Sequence, residues 1–519
     1  METSTGPVAS GTPTELAGRR EWIGLGVLAL ACLVYAMDLT VLHLAVPQIS
    51  ATLHPTSTEL LWIIDVYGFM LAGLLITMGT LGDRIGRRRL LMIGAALFGV
   101  VSLIAAFAPS AELLIVCRAL LGIAGATIAP STLSLIFNMF RDARQRSLAV
   151  GTWVTAFSAG GVVGPLAGGL LLEHFWWGSV FLLAVPVMVL LLVLGPRVLP
   201  EFRDENAGRL DLPSAALSVV TMIALVLAMK KVAQDGFGAL PLVAAIVGVA
   251  AGAVFVRRQL TRPDPMLDLR LFRLGTFRTG LAINVLAVFV MFGYFLLVAQ
   301  YFQLVLGMSP MQAGLAMAPS SLGFIIGSQA APRVVRYVRP AYVIGVGMAV
   351  AAIGLALMTG LSTGGSPVLA VAASLLVALG MAPVFGITTE LIVGSAPPEQ
   401  AGAASGLSET GAELGGALGI SILGSISVAI YRGDLADSLP PHLPGGDSVR
   451  DTLGAAVEVA ATLPGQLGEA VLGTARAAFM HGVHVTAGIA AAAALVLAVL
   501  AVVKLKQIPA GDLTGHDEH

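Results

Sequence analysis

Charge is what this chain has least of. Of 519 residues only 11% are charged, against about 25% in an ordinary soluble domain. Another 57% are hydrophobic, and the mean hydropathy is +0.90. No water-facing surface of normal extent can be built from that composition. Cysteine is nearly absent: Cys32 and Cys117 each lie inside an apolar run, which excludes a disulfide framework and a cysteine-based zinc cluster. The sequence also lacks a glycine-rich nucleotide loop, a clustered His/Cys ligand set and a polar stretch fit for a catalytic domain. Neither an ATP-driven machine nor a membrane enzyme is therefore expected, and no cofactor or metal. A formal net charge of −1 offers no argument for a nucleic-acid partner, and none is expected. Short strands of alternating polarity are missing too, which excludes a barrel. The start, METSTGPVASGTPTELAGRREW, is polar and shows no cleavage pattern, so no signal peptide is expected.

What stands in place of these features is a series of apolar runs along the whole chain. They fall at about 22–46, 61–80, 90–109, 112–136, 148–172, 177–195, 211–229, 238–256, 279–305, 312–331, 341–361, 367–393, 402–429 and 484–505, close to the roughly 20 residues a membrane-spanning helix needs. The expected fold class is an all-α integral membrane protein with 14 transmembrane helices. Placing both termini inside puts 23 of the 29 Lys and Arg residues in the cytoplasm. Arg118 falls within a span, and only Lys230, Lys231, Arg432, Arg450 and Arg476 fall outside. That asymmetry supports an even number of helices. The polar break at 257–276 separates two sets of spans. The expected organisation is a cytoplasmic tail 1–21, a six-helix bundle 22–195, a linker 196–278 with two extra helices, a second six-helix bundle 279–505 and a cytoplasmic tail 506–519. An external loop, 430–483, mixes PPHLPGGD with a mildly amphipathic run, too polar to span and expected to be partly helical outside, and suggests no function.

Between the second and third spans stands Gly79-Thr-Leu-Gly82-Asp83-Arg84-Ile-Gly86-Arg87-Arg88-Arg89. Glycines permit a tight turn, and an acid among arginines can hold helix ends together in one conformation and release them in another. A plain positive-inside anchor would require neither the glycines nor the acid. The run resembles the loop signature of the major facilitator superfamily. The resemblance extends over essentially the whole chain, to the fourteen-span drug:proton antiporter branch that includes the Qac-type multidrug efflux pumps. Met37-Asp38-Leu-Thr40-Val41-Leu42-His43-Leu-Ala45-Val-Pro47 is similar to that branch's first-helix motif, and Leu61-Trp62-Ile-Ile-Asp65-Val-Tyr67 to the segment where cation exporters carry an acid. Arg118-Ala-Leu-Leu121-Gly122-Ile-Ala-Gly125-Ala126 resembles the fourth-helix motif, whose buried arginine is linked to proton transfer; Leu121 replaces a frequent glutamine. Gly160-Gly161-Val-Val-Gly164-Pro165-Leu-Ala-Gly168-Gly169 resembles the antiporter motif of exporting branches. The stretch from Gly402 to Gly416 is similar to the corresponding helix of Qac-type pumps, and Gly327 to Arg336 is a degraded copy of the first-half loop. What the resemblance implies is a fold of two six-helix bundles with two extra central helices.

Independently of family, an arginine inside a span must face protein or water and pair with an acid or carbonyl, or else snorkel to the boundary. Gly160, Gly164 and Gly168 share one helix face, and Pro165 promotes a kink. That surface lets a neighbouring helix approach and shift, or serves static packing alone. Asp38, Asp65, Glu390, Glu409 and Glu413 lie in or near apolar spans, and each must be protonated, paired or occupied by a cation. Arg118 can pair with only one or two. Glu409 and Glu413 lie one helical turn apart on a glycine-rich face with Gly402, Gly406 and Gly416; hydrogen-bonded packing is the alternative for Glu413. The expected function is a proton-coupled antiporter in the cell inner (plasma) membrane, both termini cytoplasmic, exporting drug-like, cationic or lipophilic compounds. The alternative is export of an endogenous antibiotic, secondary metabolite or other small solute by the same machinery. Its expected partners are a small-molecule substrate, protons and the lipid bilayer, with a monomer as the functional unit.

Overall fold

The computed structural model describes residues 16–203, 211–262, 265, 269–396, 401–439 and 443–511. The order is α1 (Arg19–Leu53), α2 (Ser57–Ile85), α3 (Arg87–Ala106), α4 (Ala111–Met139), α5 (Ala143–His174), α6 (Ser179–Leu182), α7 (Ala184–Val198), α8 (Leu212–Asp235) and α9 (Ala239–Thr261). After a 3-10 turn at Leu269–Arg273 come α10 (Gly275–Gln300), which ends in a π turn, α11 (Pro310–Val335), α12 (Pro340–Met358), α13 (Pro367–Gly394) and α14 (Ala401–Ser438). The last are α15 (Gly446–Asp451), α16 (Leu453–Thr462) and α17 (Gly465–Leu505). No strand occurs among the described residues.

Polar residues just ahead of the apolar runs start the helices. Thr56 accepts the Glu59 N–H while the Glu59 carboxylate takes the Thr56 N–H, and Ser309 with Gln312 repeats this box for α11. Asp211 caps α8 and also takes Arg258 at 2.8 Å and Arg262 at 2.6 Å from the end of α9. Burial alone would push the Asp211 carboxyl up, but the bonds from Ser214, Arg262 and Arg258 outweigh it and hold the group well below the usual carboxylate range. α8 and α9 are thereby fastened as a pair.

The two halves repeat one packing pattern. α1 packs on α5 and α7, α2 on α4, and α3 on α4 and α7; later, α10 packs on α14 and α17, α11 on α13, and α12 on α13 and α17. The halves meet crosswise, α2 on α14 and α5 on α11, while α8 leans on both α2 and α14. Lipid supplies no hydrophobic force between helices, so contact depends on small residues that let backbones touch. Along α14, a Cβ on Gly415 or Gly419 would collide with the Val285 or Phe289 carbonyl of α10. Outward faces are apolar, with Ile93 and Val100 on α3, Ile246 and Val249 on α9, and Val346 and Ile353 on α12 all exposed. A belt of that kind suits a bilayer interior.

Among the described residues 13 helices are long and apolar enough to cross a membrane, α6 and α7 counting as one. The tenth expected span, 312–331, is α11, of similar length but carrying Ser320, Ser321, Ser328 and Gln329, and packed between α5 and α13. One expectation needs revision. Lys230, expected outside, is buried within α8, which runs on for a further turn to Asp235. Within 430–483, where some helix is expected, α14 extends to Ser438 and α17 begins at Gly465. Between them lie α15 and α16; α15 packs on α14 and α16, and α16 seats against the end of α1 near His54, where a Cβ on Gly454 would stand 2.6 Å from Ser50. Both described chain ends lie on the opposite side: the Ala17 N–H donates to Gln145 at the start of α5, and the Gly511 N–H to the Val335 carbonyl.

The turn from α2 into α3 has no loop, because Gly86 adopts φ 109°, ψ 131°. Across it Asp83 accepts Arg87 Nε at 2.7 Å and Nη2 at 2.6 Å. Arg87 also reaches the Pro130 carbonyl of α4 at 3.5 Å, and its N–H donates to the Phe202 carbonyl at 2.9 Å. The Arg88 N–H donates to Glu201 at 3.1 Å, and its guanidinium to the Leu199 carbonyl at 3.0 Å. The chain after α7 is thus strapped onto the turn. Gly82 packs against Arg87 and Leu90, a Cβ on Gly79 would meet only the Pro130 side chain at 4.0 Å, and Arg84 and Arg89 are exposed. A Cβ on Gly86 would be 2.5 Å from Glu201 Oε1, on a backbone conformation that side chains rarely adopt. Gly86→Ala should therefore lower stability by about 1–3 kcal/mol, read as a lower melting temperature in detergent. Unchanged melting would contradict this account of the turn.

Candidate functional site

A cavity of about 650 Å³ opens between the halves, lined by α1, α2, α4 and α5 and by their repeat counterparts α10, α11, α13 and α14. Aromatic rings dominate its wall: Trp153, Phe157, Phe292, Phe295, Phe324 and Phe385, with Tyr67 and Tyr294. Trp153 and Phe157 stack 6.1 Å apart, and the indole N–H donates to Thr132 at 3.0 Å, which holds the ring in place. Asp65, Arg118, Glu390, Glu409 and Glu413 all face this one space; Asp38 does not line it and stands behind Arg118.

Two of the acids are already neutralised. Arg118 Nη1 donates to Asp38 at 2.6 Å and Nε to the Ile63 carbonyl at 3.1 Å, with its guanidinium 4.5 Å from the Tyr67 ring centre. Arg118 is only 2% exposed, so it is a buried partner rather than a snorkelling residue. Asp65 meets Lys230 of α8 at 2.9 Å, both side chains fully buried, and accepts the Ser421 hydroxyl of α14. Each pair joins different helices and cancels a charge that a bilayer interior would otherwise penalise.

The carboxylates of α14 have no such partner. Glu413 accepts the Tyr35 hydroxyl at 3.1 Å, and among the described residues Glu409 has neither a hydrogen bond nor an ion pair. Glu390, near the end of α13, is exposed on the cavity. One space therefore collects three acids without a basic partner, set among aromatic faces. Such faces attract cations through the ring quadrupole, by about 0.5–1 kcal/mol when exposed and more when dry.

The cavity is closed on the His54 side. Gln303 of the second half donates to the Leu44 carbonyl at 3.1 Å, and the Met311 N–H to Glu173 at 3.2 Å. Here α5 and α11 touch backbone to backbone: a Cβ on Gly169 would be 2.8 Å from the Pro310 carbonyl, and one on Gly314 would be 2.7 Å from that of Pro165. The other face of the same motif meets α1, where a Cβ on Gly160 would be 2.5 Å from the Leu33 carbonyl, on Gly164 would strike Thr40, and on Gly168 would be 2.5 Å from Val41. Toward the Gly86 side the lining includes Leu133, Ser328, Gly386, Thr389 and Glu390, the last three exposed. Among the described residues no hydrogen bond or ion pair joins the two halves there, and the cavity opens on that side.

Sequence reasoning missed Lys230, Tyr35 and Ser421. The signal for Lys230 was present, since VLAMKKVA continues the apolar run of α8 on both sides of the lysines. Nothing local marks Tyr35 or Ser421, whose roles exist only because α14 crosses to the first half.

A twofold-repeated helical bundle around a central, one-sided cavity defines a membrane transporter. Residues 28–420 match the Major Facilitator Superfamily. The multidrug efflux pump LfrA of Mycolicibacterium smegmatis is 46% identical over 500 residues, spanning 96% of this chain and 97% of that protein. The methyl viologen resistance protein SmvA of Salmonella typhimurium is 37% identical, spanning 92% of this chain and 97% of that one. Among solved structures, a bacterial homologue of the human lysosomal transporter Spinster has a TM-score of 0.65 at 17% identity, covering 95% of this chain and 98% of that one; this likeness concerns the fold alone. The chain belongs to the major facilitator superfamily, and is a transporter rather than an enzyme.

Asp38→Asn should leave the buried Arg118 with an uncompensated charge, a loss of about 3–5 kcal/mol. Thermal unfolding in detergent should show a marked destabilisation, largely recovered in Asp38→Asn/Arg118→Gln. A single variant as stable as the parent would show that the pair is not a fixed part of the fold.

Proposed function

We propose that this protein is a proton-coupled antiporter that exports lipophilic, cationic, drug-like compounds from the cytoplasm. The observation that carries the proposal is the charge balance of the cavity. Asp38 and Asp65 are held by Arg118 and Lys230, whereas Glu409 and Glu413 face an aromatic wall without a cation. A carboxylate in that setting is stabilised either by a proton or by a cationic ligand, and not by both at full strength. Binding a cation on one side of the membrane and a proton on the other is exchange. Asp38 and Asp65 would carry protons only when their basic partners are drawn away. The names of the relatives, a multidrug efflux pump and a methyl viologen resistance protein, support a drug-like substrate.

Arg84, Arg87 to Arg89, Arg141, Arg333, Arg336 and Arg339 all fall on the Gly86 side, which the positive-inside rule assigns to the cytoplasm. Both termini are then cytoplasmic, and the open cavity faces inward to load substrate. Bundles 22–195 and 279–505 would rock against each other, with 196–278 as an insert between them. The glycine faces of α5 and the Asp83–Arg87 turn are the surfaces that shift. One chain holds the complete cavity, so the functional unit is a monomer in the inner (plasma) membrane.

Reconstituted protein with the pH gradient and the potential set separately tests this. If two protons exchange for one monovalent cation, one net charge moves per cycle, and 100 mV adds about 2.3 kcal/mol to the driving force. Wild type should then respond to both gradients, and Glu409→Gln/Glu413→Gln should lose gradient-driven cation transport. Transport indifferent to both gradients, or undiminished in the double variant, would contradict the proposal.

A further inference from the structure

Lys230 sits where a ligand would. Its ammonium is 2.9 Å from Asp65 Oδ2 and 4.2 Å from the centre of the Trp62 ring. The same Asp65 oxygen accepts the Ser421 hydroxyl. A carboxylate beside an indole face is what recognises a substrate ammonium, and here the protein supplies the ammonium itself. The other oxygen, Asp65 Oδ1, is buried and has no hydrogen-bond partner, and Asp65 lies at the closed end of the cavity.

Lys230 comes from neither repeated half. It belongs to α8, which leans on α2 and α14 at once, and Phe69, Val226 and Ala417 from the three helices form one small apolar cluster beside the pair. The lysine thus reaches Asp65 where the two halves meet. Each half needs the other, and the inserted helix, to complete the arrangement.

We propose that Asp65, Trp62 and Ser421 form a cation site that the chain fills with its own tethered ammonium, Lys230, so that the inserted helix pair sets how many positive charges the cavity accepts. This rests on the reading of the cavity as a cation site. With Lys230 in place, Asp65 is cancelled, and the unpaired carboxylates toward the Gly86 side hold the substrate's charge. Remove the lysine, and the site accepts a free alkylammonium or the second charged end of a dication.

Binding to purified full-length protein in nanodiscs, without any gradient, tests this. The probes are n-propylammonium, the monocation tetraphenylphosphonium and the dication dequalinium. In Lys230→Ala, propylammonium should raise the melting temperature, since a ligand that binds only the folded state stabilises it. It should do so in neither wild type nor Lys230→Ala/Asp65→Asn. The ratio of dequalinium to tetraphenylphosphonium affinity should rise about tenfold, equivalent to about 1.4 kcal/mol, and Lys230→Arg should keep the wild-type ratio. Should Lys230→Ala fail to fold, Lys230→Met retains the bulk and reports the same ratio. No propylammonium effect together with an unchanged ratio would overturn the proposal. Failure of antiport would appear separately, as wild-type transport indifferent to gradients while the ratio still shifts.

Discussion

A charge in the middle of a bilayer has to be neutralised by something, and the centre of this chain is arranged around that constraint. Arg118 and Lys230 each hold one acid at ion-pair distance, from α4 to α1 and from α8 to α2. With those two bases engaged, Glu409, Glu413 and Glu390 share a cavity in which, among the described residues, no base faces them at bonding distance. Their neutralisation depends on what enters from outside, a proton or a ligand.

Packing determines how that chemistry can be gated. α5 presents glycines to α1 on one face, and Gly169 and Pro165 to α11 on another. Contacts between bare backbones are close or absent, with little between, so such interfaces have discrete arrangements rather than a continuum. In the arrangement seen, Gln303, Glu173 and the α5–α11 contact seal the His54 side. α15 and α16 add a second layer there, with Ser57 donating to the Asp451 carbonyl. On the Gly86 side the Asp83–Arg87 and Arg88–Glu201 contacts fasten helix ends within the first half without crossing the cavity mouth.

The fold was legible because its causes are local and repeated. Long apolar runs, arginine-rich loops and polar caps such as Thr56 and Ser309 mark the helices one by one. α11 was legible as a helix of similar length despite its serines. The reach of α14 to Ser438 and of α17 back to Gly465 was not, since charged and polar residues such as Arg432, Asp434, Glu469 and Arg476 interrupt the apolar runs there. The acids could be named from sequence because a carboxylate in an apolar run stands out. Their partners could not: Lys230 is far from Asp65 along the chain, and Ser421 further still, so only the crossing of α8 and α14 over α2 brings them together. Arg118 alone would leave three or four of the five acids without a base; with Lys230 engaged the structure leaves, among the described residues, Glu390, Glu409 and Glu413.

The central claim is that a proton and a cationic substrate compete for the α14 carboxylates. Proton release on binding measures this without reference to transport. Adding tetraphenylphosphonium to weakly buffered, purified protein should release protons as the cation binds. Acidification should weaken the binding, and Glu409→Gln/Glu413→Gln should release none. Binding of equal affinity across acidic and neutral pH, with no proton released by the wild-type protein, would contradict the account.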